Sequence, residues 1–205
     1  MILAGLAVLL YIPSTWILGY ISQRNLRGDY AQESAAVLAE DKTTLEKLQG
    51  AADAEKIMKL AENFQSHLQD GQTIAQLEIP KIGVDDIIVE GSSDSDLHKG
   101  PGHMENTPLP GMEGNFPIAG DRVLYGGPFL HLNDLQNGDQ IIVHTPYANF
   151  TYTVSNKHIT QPEDTSVLQS HGKEEITLIT CDPIWDTSHR LIITGEISSE
   201  TVRTS

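Results

Sequence analysis

From Thr73 onward the chain breaks into short runs in which apolar and polar residues alternate, the two-residue period of half-buried strands. Seven runs stand out: Thr73–Ile79, Val84–Val89, Phe116–Ala119, Gln140–His144, Phe150–Ser155, Glu175–Cys181 and Leu191–Ile197. Pro110-Gly111, Gly126-Gly127, Asn137-Gly138 and the Cys181-Asp182-Pro183 corner punctuate them as turns. Asp94–His98 and Thr165–Gln169 read as single helical turns. Many short strands joined by irregular loops predict a mainly β domain over residues 73–198, either a closed or nearly closed antiparallel barrel or a sandwich.

Before Thr73 the period changes. Residues 31–70 lack proline and are rich in Ala, Glu, Lys, Leu and Gln, all good helix formers. Ile57, Leu60, Ala61, Phe64 and Leu68 form a stripe at helical spacing, and Val37, Leu38, Leu45 and Leu48 a partial one. Gly50 separates two helices and Asp70-Gly71 ends the second, so residues 24–72 are expected to be a helical stalk or spacer packed on the domain. Residues 1–23 carry no charged side chain, and a bilayer takes about 20 apolar residues to cross. Without a small-residue cleavage site, this stretch predicts an uncleaved membrane anchor. Residues 199–205 read as a disordered tail.

Charge narrows the partners. The 205 residues carry a net charge of −15, which argues against nucleic acid and against an anionic lipid surface as binding partners. Asp85, Asp86, Glu90, Asp134 and Asp139 are scattered acidic positions in a chain this acidic, so no metal and no cofactor are expected.

Cys181 is the only cysteine, so an internal disulfide is excluded. It ends the run Ile176–Cys181, and Arg190 stands nine residues later at the head of Leu191-Ile192-Ile193. A thiolate needs a neighbouring cation or base, and attack on a carbonyl needs a donor facing the oxyanion. Arg190 suits the second role. Two plainer readings stand beside this one: a buried, inert thiol, and an Arg190 ion pair with Asp182 or Asp186.

Thr177-Leu178-Ile179-Thr180-Cys181 resembles the T-L-x-T-C signature of the sortases, with Arg190 at the place of their active-site arginine. Two further blocks resemble the same family: Leu77-Glu78-Ile79-Pro80-Lys81-Ile82-Gly83-Val84, and Lys99-Gly100-Pro101-Gly102-His103 with Leu109-Pro110-Gly111, Gly114-Asn115 and Ile118-Ala119-Gly120. The resemblance implies an eight-stranded sortase-type β-barrel and a membrane-tethered, outward-facing bacterial transpeptidase. It implies that Cys181 attacks the Thr–Gly bond of an LPxTG-like sorting signal and forms a thioester. An amine from a cell-wall precursor or a pilin lysine then resolves it. Ala119, Thr180 and Arg190 fall at substrate-binding positions. Residues Arg24–Gln72 lack the Asp-Pro-aromatic lid motif of pilus-polymerising sortases, and no second span follows, which points to a housekeeping-like or class D-, E- or F-like member.

One position departs from the family pattern. The catalytic histidine expected after Ile118-Ala119-Gly120 is Asp121, followed by Arg122. A carboxylate beside a thiol disfavours the thiolate by like-charge repulsion and, ionised, has no proton for a leaving amine. General acid–base help is worth about 10²–10⁴ in rate, so turnover is expected to be severely impaired. His103, His131, His144 and His189 are the domain's candidate substitutes, with His103 the best placed, although a structural role suits each of them better. Two non-enzymatic readings stay open: a barrel that binds sorting signals without cutting them, and a structural barrel with an inert Cys181.

Overall fold

The computed structural model describes residues 2–48 and 50–203; Met1 of the expected anchor and Thr204-Ser205 of the expected tail lie outside them. The strands are β1 (Thr73–Ile79), β2 (Val84–Glu90), β3 (Gly102–His103), β4 (Asn115–Ala119), β5 (Gln140–His144), β6 (Ala148–Thr160), β7 (Glu175–Asp182) and β8 (His189–Val202). They close into a barrel in the order β1-β2-β3-β4-β7-β8-β6-β5, which rules out the sandwich. Six of the eight adjacencies are antiparallel, but β2–β3 and β4–β7 are parallel. The long connections after β2 and β4 make parallel returns possible, since a parallel pair cannot be joined by a tight turn.

Alternation sorts the strands as the pattern predicts. Ile176 and Leu178 of β7, Ile141 and Val143 of β5, and Phe150 and Tyr152 of β6 are fully buried. Ser155 is an extra residue between Val154, which pairs with Gly195, and Asn156, which pairs with Thr194. This bulge reverses the alternation, so Asn156, His158 and Thr160 point away from the core. Within the expected tail, Ser199–Val202 continue β8 and pair with Thr151–Ala148, gaining the ladder hydrogen bonds of β6.

Two helices precede the barrel, α1 (Ile2–Lys47) and α2 (Asp53–Ser66), with Gly50 between them at φ +92°. Both pack on the barrel. Ile57, Leu60, Ala61 and Phe64 of α2 join the barrel core, and Phe64 lies 5.8 Å from Tyr147, ring centre to ring centre. Gln23 of α1 acts as a surrogate strand neighbour for β2, accepting from Ile87 N at 2.6 Å and donating to Ile87 O at 3.1 Å. Arg27 pairs with Asp85, and Tyr30 donates to His144 O.

The membrane span expected over residues 1–23 is not supported. Trp16 Nε1 donates to Val123 O at 2.8 Å, and a Cβ on Gly19 would stand 2.2 Å from Tyr125 O, so this stretch of α1 lies against a protein loop. Tyr11, Ile17, Leu18, Tyr20 and Ile21 stay exposed, but Ser14, Thr15 and Gln23 interrupt them with polar groups. Among the described residues no helix is long and apolar enough to cross a membrane.

Candidate active site

Cys181 and Arg190 are direct cross-strand partners on the outer face of β7 and β8. Directly opposed residues in an antiparallel pair have Cα atoms about 4.5–5.5 Å apart, so the thiol and the guanidinium spring from adjacent points. The same face repeats down the strands as Ile179–Ile192, Thr177–Thr194 and Glu175–Glu196, extended across β6 by Thr160, His158 and Asn156. On the other side, parallel β4 sets Ala119 beside Ile179.

A cavity of about 430 Å³ opens over the top of this ladder and is lined by Cys181, Arg190, Asp121, Ala119 and Trp185, among others. The three catalytic positions expected from the sequence therefore meet in one place. A second cavity, of about 290 Å³, shares Ala119, Ile179 and Arg190 with the first; Met104, Pro162, Val167, Leu168 and Ile192 give it an apolar side, and Ser92, Thr160, Asp164 and Thr165 a polar rim. Together they form one groove with the thiol at its head.

Cys181 is half-buried and free, so it is neither an interior hydrophobe nor a disulfide partner. Arg190 makes none of the ion pairs that its neighbours offer. The Asp182 carboxylate is taken by Arg122 at 2.5 Å, and Asp186 accepts from Ser188 N. Arg190 Nη1 donates to Thr187 O and His189 O, both at 3.0 Å, which fixes the side chain against its own loop. Among the described residues its Nη2 and Nε have no partner, leaving two donors for a substrate oxygen.

Arg122 holds the backbone of Cys181. It is 5 % exposed, and its Nη1 donates to Cys181 O at 2.8 Å while Nη2 donates to Asn133 at 3.0 Å. Thr180 lies on the opposite face of β7 from Cys181, and its hydroxyl donates to Gly120 O at 2.8 Å. It ties β7 to the end of β4 and sets the level of Asp121, and Thr180 is also among the residues lining the cavity.

Asp121 itself is engaged. Its Oδ1 accepts from Val123 N and Leu124 N, both at 2.9 Å, closing a turn at the cavity wall. Among the described residues lining this cavity there is no histidine. His103 does not substitute: it is fully buried on β3, with Nδ1 2.7 Å from Glu90 and Nε2 2.8 Å from Thr107. His131 faces solvent near Asp134, His144 sits beside Asn149 on β5, and His189 contacts Ser188 on the side of β8 away from Arg190.

Sequence reasoning passed over Trp185. It sits in the β7–β8 loop at φ +69°, 66 % exposed, on the lip of the cavity. A large exposed aromatic held in left-handed backbone is uncommon, and here it stands beside Cys181 at the cavity mouth. The signal was legible as an aromatic in a polar turn four residues after the cysteine.

A closed mixed barrel with a cysteine and an arginine paired across adjacent strands and lining one cavity defines a scaffold suited to cysteine acyl transfer. Residues 77–198 match the sortase domain family, and the chain belongs to that family of transpeptidases. It is 33% identical over 173 residues to sortase D of Bacillus subtilis, spanning 82% of this chain and 86% of that one. The sortase D5 transpeptidase of Clostridium perfringens superposes with a TM-score of 0.62 at 30% identity, over 80% of this chain and 99% of that one. Sortase E1 of Streptomyces coelicolor, solved with a tripeptide in its active site, gives 0.62 at 35% identity over 65% of this chain and 93% of that one.

Proposed function

We propose that this chain takes LPxTG-like sorting signals at the bacterial cell wall and forms a thioester on Cys181, with turnover held back by Asp121. The observation that carries the reading is the pairing of Cys181 with Arg190, whose Nη2 and Nε are free, at the head of an apolar groove. The apolar groove suits the Leu-Pro end of the signal, which places the threonine carbonyl at the thiol. Cys181 Sγ as thiolate attacks that carbonyl carbon, Arg190 steadies the oxyanion, and the C–N bond to glycine breaks. The departing amine must be protonated. An incoming amine, from a cell-wall precursor or a pilin lysine, then attacks the thioester and releases the thiolate.

Protonation of the leaving amine is where Asp121 fails. Its Oδ1 is committed as an acceptor to two backbone N–H groups, and as a carboxylate it opposes a neighbouring thiolate. The same geometry favours a second reading, a module that binds sorting signals without cutting them. Mass spectrometry of the chain and its Asp121→His variant after incubation with an LPxTG peptide separates the two. An acyl adduct on Cys181 in the variant supports the transpeptidase. Peptide binding without any adduct in either protein supports the binding module.

A further inference from the structure

The groove continues past Ile192. Val167 and Ile192 also line a third cavity, of about 550 Å³, farther down the same face. Thr177 and Thr194 form its floor, and apart from Val167 and Ile192 its lining side chains carry polar groups, with Asn156, His158 and Ser166 prominent. The carboxylates at its far end are already matched: His171 Nδ1 lies 2.7 Å from Glu175, and Lys173 Nζ 2.5 Å from Glu196. Asn115 fixes the roof, donating to Val167 O at 2.9 Å while its own Oδ1 accepts from Thr177 at 2.9 Å. Val167, one of the two residues that the cavities share, is thus held in place through its backbone.

We infer that this polar cavity binds the stretch of substrate polypeptide that immediately precedes the sorting signal, in extended form. The inference rests on the function proposed above. A strand rises about 3.3 Å per residue, which sets Thr177 about 13 Å and Glu175 about 20 Å from Cys181 along β7. An extended peptide advances about 3.3–3.6 Å per residue. With the threonine carbonyl at Cys181, the Leu-Pro-x-Thr residues cover the first 13 Å or so, over the apolar groove. The three residues before the leucine then fall over Thr177, Thr194 and the polar walls. Glu175 and Glu196 are paired, Thr177 and Ser166 donate to Asn115 and Asp164, and Asn156 Nδ2 meets His158 Nδ1, so among the described residues the Thr194 hydroxyl, Asn156 Oδ1 and His158 Nε2 are left to recognise the ligand, which suits uncharged polar side chains and bare backbone.

The test measures binding to the Cys181→Ala protein, which cannot form a thioester, by fluorescence anisotropy. One peptide begins at the leucine of LPxTG; a second carries three more Ser and Asn residues upstream. The longer peptide is expected to bind about tenfold tighter, the worth of one or two net hydrogen bonds. Thr194→Trp and, separately, Asn156→Trp fill the cavity away from the reacting atoms. Each should erase the gain and leave the short peptide's Kd unchanged. Equal Kd for both peptides overturns the inference and leaves the proposed function standing. A gain that survives both tryptophans also overturns it. No binding of either peptide overturns both.

Discussion

Replacing Arg122 by alanine isolates what holds the nucleophile's strand end. The guanidinium is 5 % exposed and serves Cys181 O, Asp182 and Asn133 together. Its Nε, buried without a partner, already detracts from the interaction. Removing one member of a buried pair costs about 3–5 kcal/mol, because the other charge is left uncompensated. The Asp182 side chain keeps 20 % of its surface, so water reaches the orphaned carboxylate and the loss falls to about 2–3 kcal/mol. In a chain of this size that is a fall of roughly 5–10 °C in Tm. Urea unfolding monitored by circular dichroism measures it. Arg122→Ala combined with Asp182→Asn should recover about 1 kcal/mol, since no charge is then stranded. A loss below about 0.5 kcal/mol for the single variant would refute the reasoning, because it would put Arg122 among solvated surface pairs.

Three further outcomes follow from other parts of the molecule. Asp41 on α1 is 2 % exposed, neither of its oxygens has a hydrogen-bond partner among the described residues, and burial, with Glu40 adding and Asn63 opposing, pushes its carboxyl up to about 6. The folded state therefore holds a proton that the unfolded chain has released, so stability falls as pH rises from about 4 to about 6, and Asp41→Asn should gain about 1–3 kcal/mol at pH 7.5 but almost nothing at pH 4. Gly111 sits at φ +88° with its Cβ position 2.4 Å from Ile57, so Gly111→Ala should cost about 2–4 kcal/mol in thermal unfolding, combining left-handed strain with overpacking. Arg190→Ala, in the Asp121→His background, should slow thioester formation about 10²–10³-fold with an unchanged melting temperature, as loss of an oxyanion donor does.

Much of this architecture was readable because alternation reports burial directly. The run Glu175–Cys181 puts Ile176 and Leu178 inside and Cys181 outside, and a nine-residue step across a hairpin puts Arg190 opposite. The Ile57, Leu60, Ala61 and Phe64 stripe likewise marked the face that α2 buries. Other features leave no periodic trace. β3 is only Gly102-His103, too short for alternation, and its place depends on the parallel return from β2. The Ser155 bulge, which turns His158 and Asn156 onto the groove, is one extra residue in an otherwise regular strand. In residues 1–23 apolar composition reads alike for lipid and for a protein surface, and the contacts of Trp16 and Gly19 with the Val123–Tyr125 loop are set by tertiary fit. The groove is assembled from β4, β7, β8 and the β6–β7 connection, so no local segment describes it.

The central claim is that Cys181 and Arg190 form a working acyl-transfer pair and that residue 121 alone limits turnover. The most direct measurement is intact-mass spectrometry of the Asp121→His protein, paired with the chain as it stands, during incubation with an LPxTG peptide. The account predicts a thioester on Cys181 that forms at least about 10²-fold faster in the histidine variant, the lower bound of general acid–base help. Equal rates in the two proteins, or an adduct at any other residue, would contradict it.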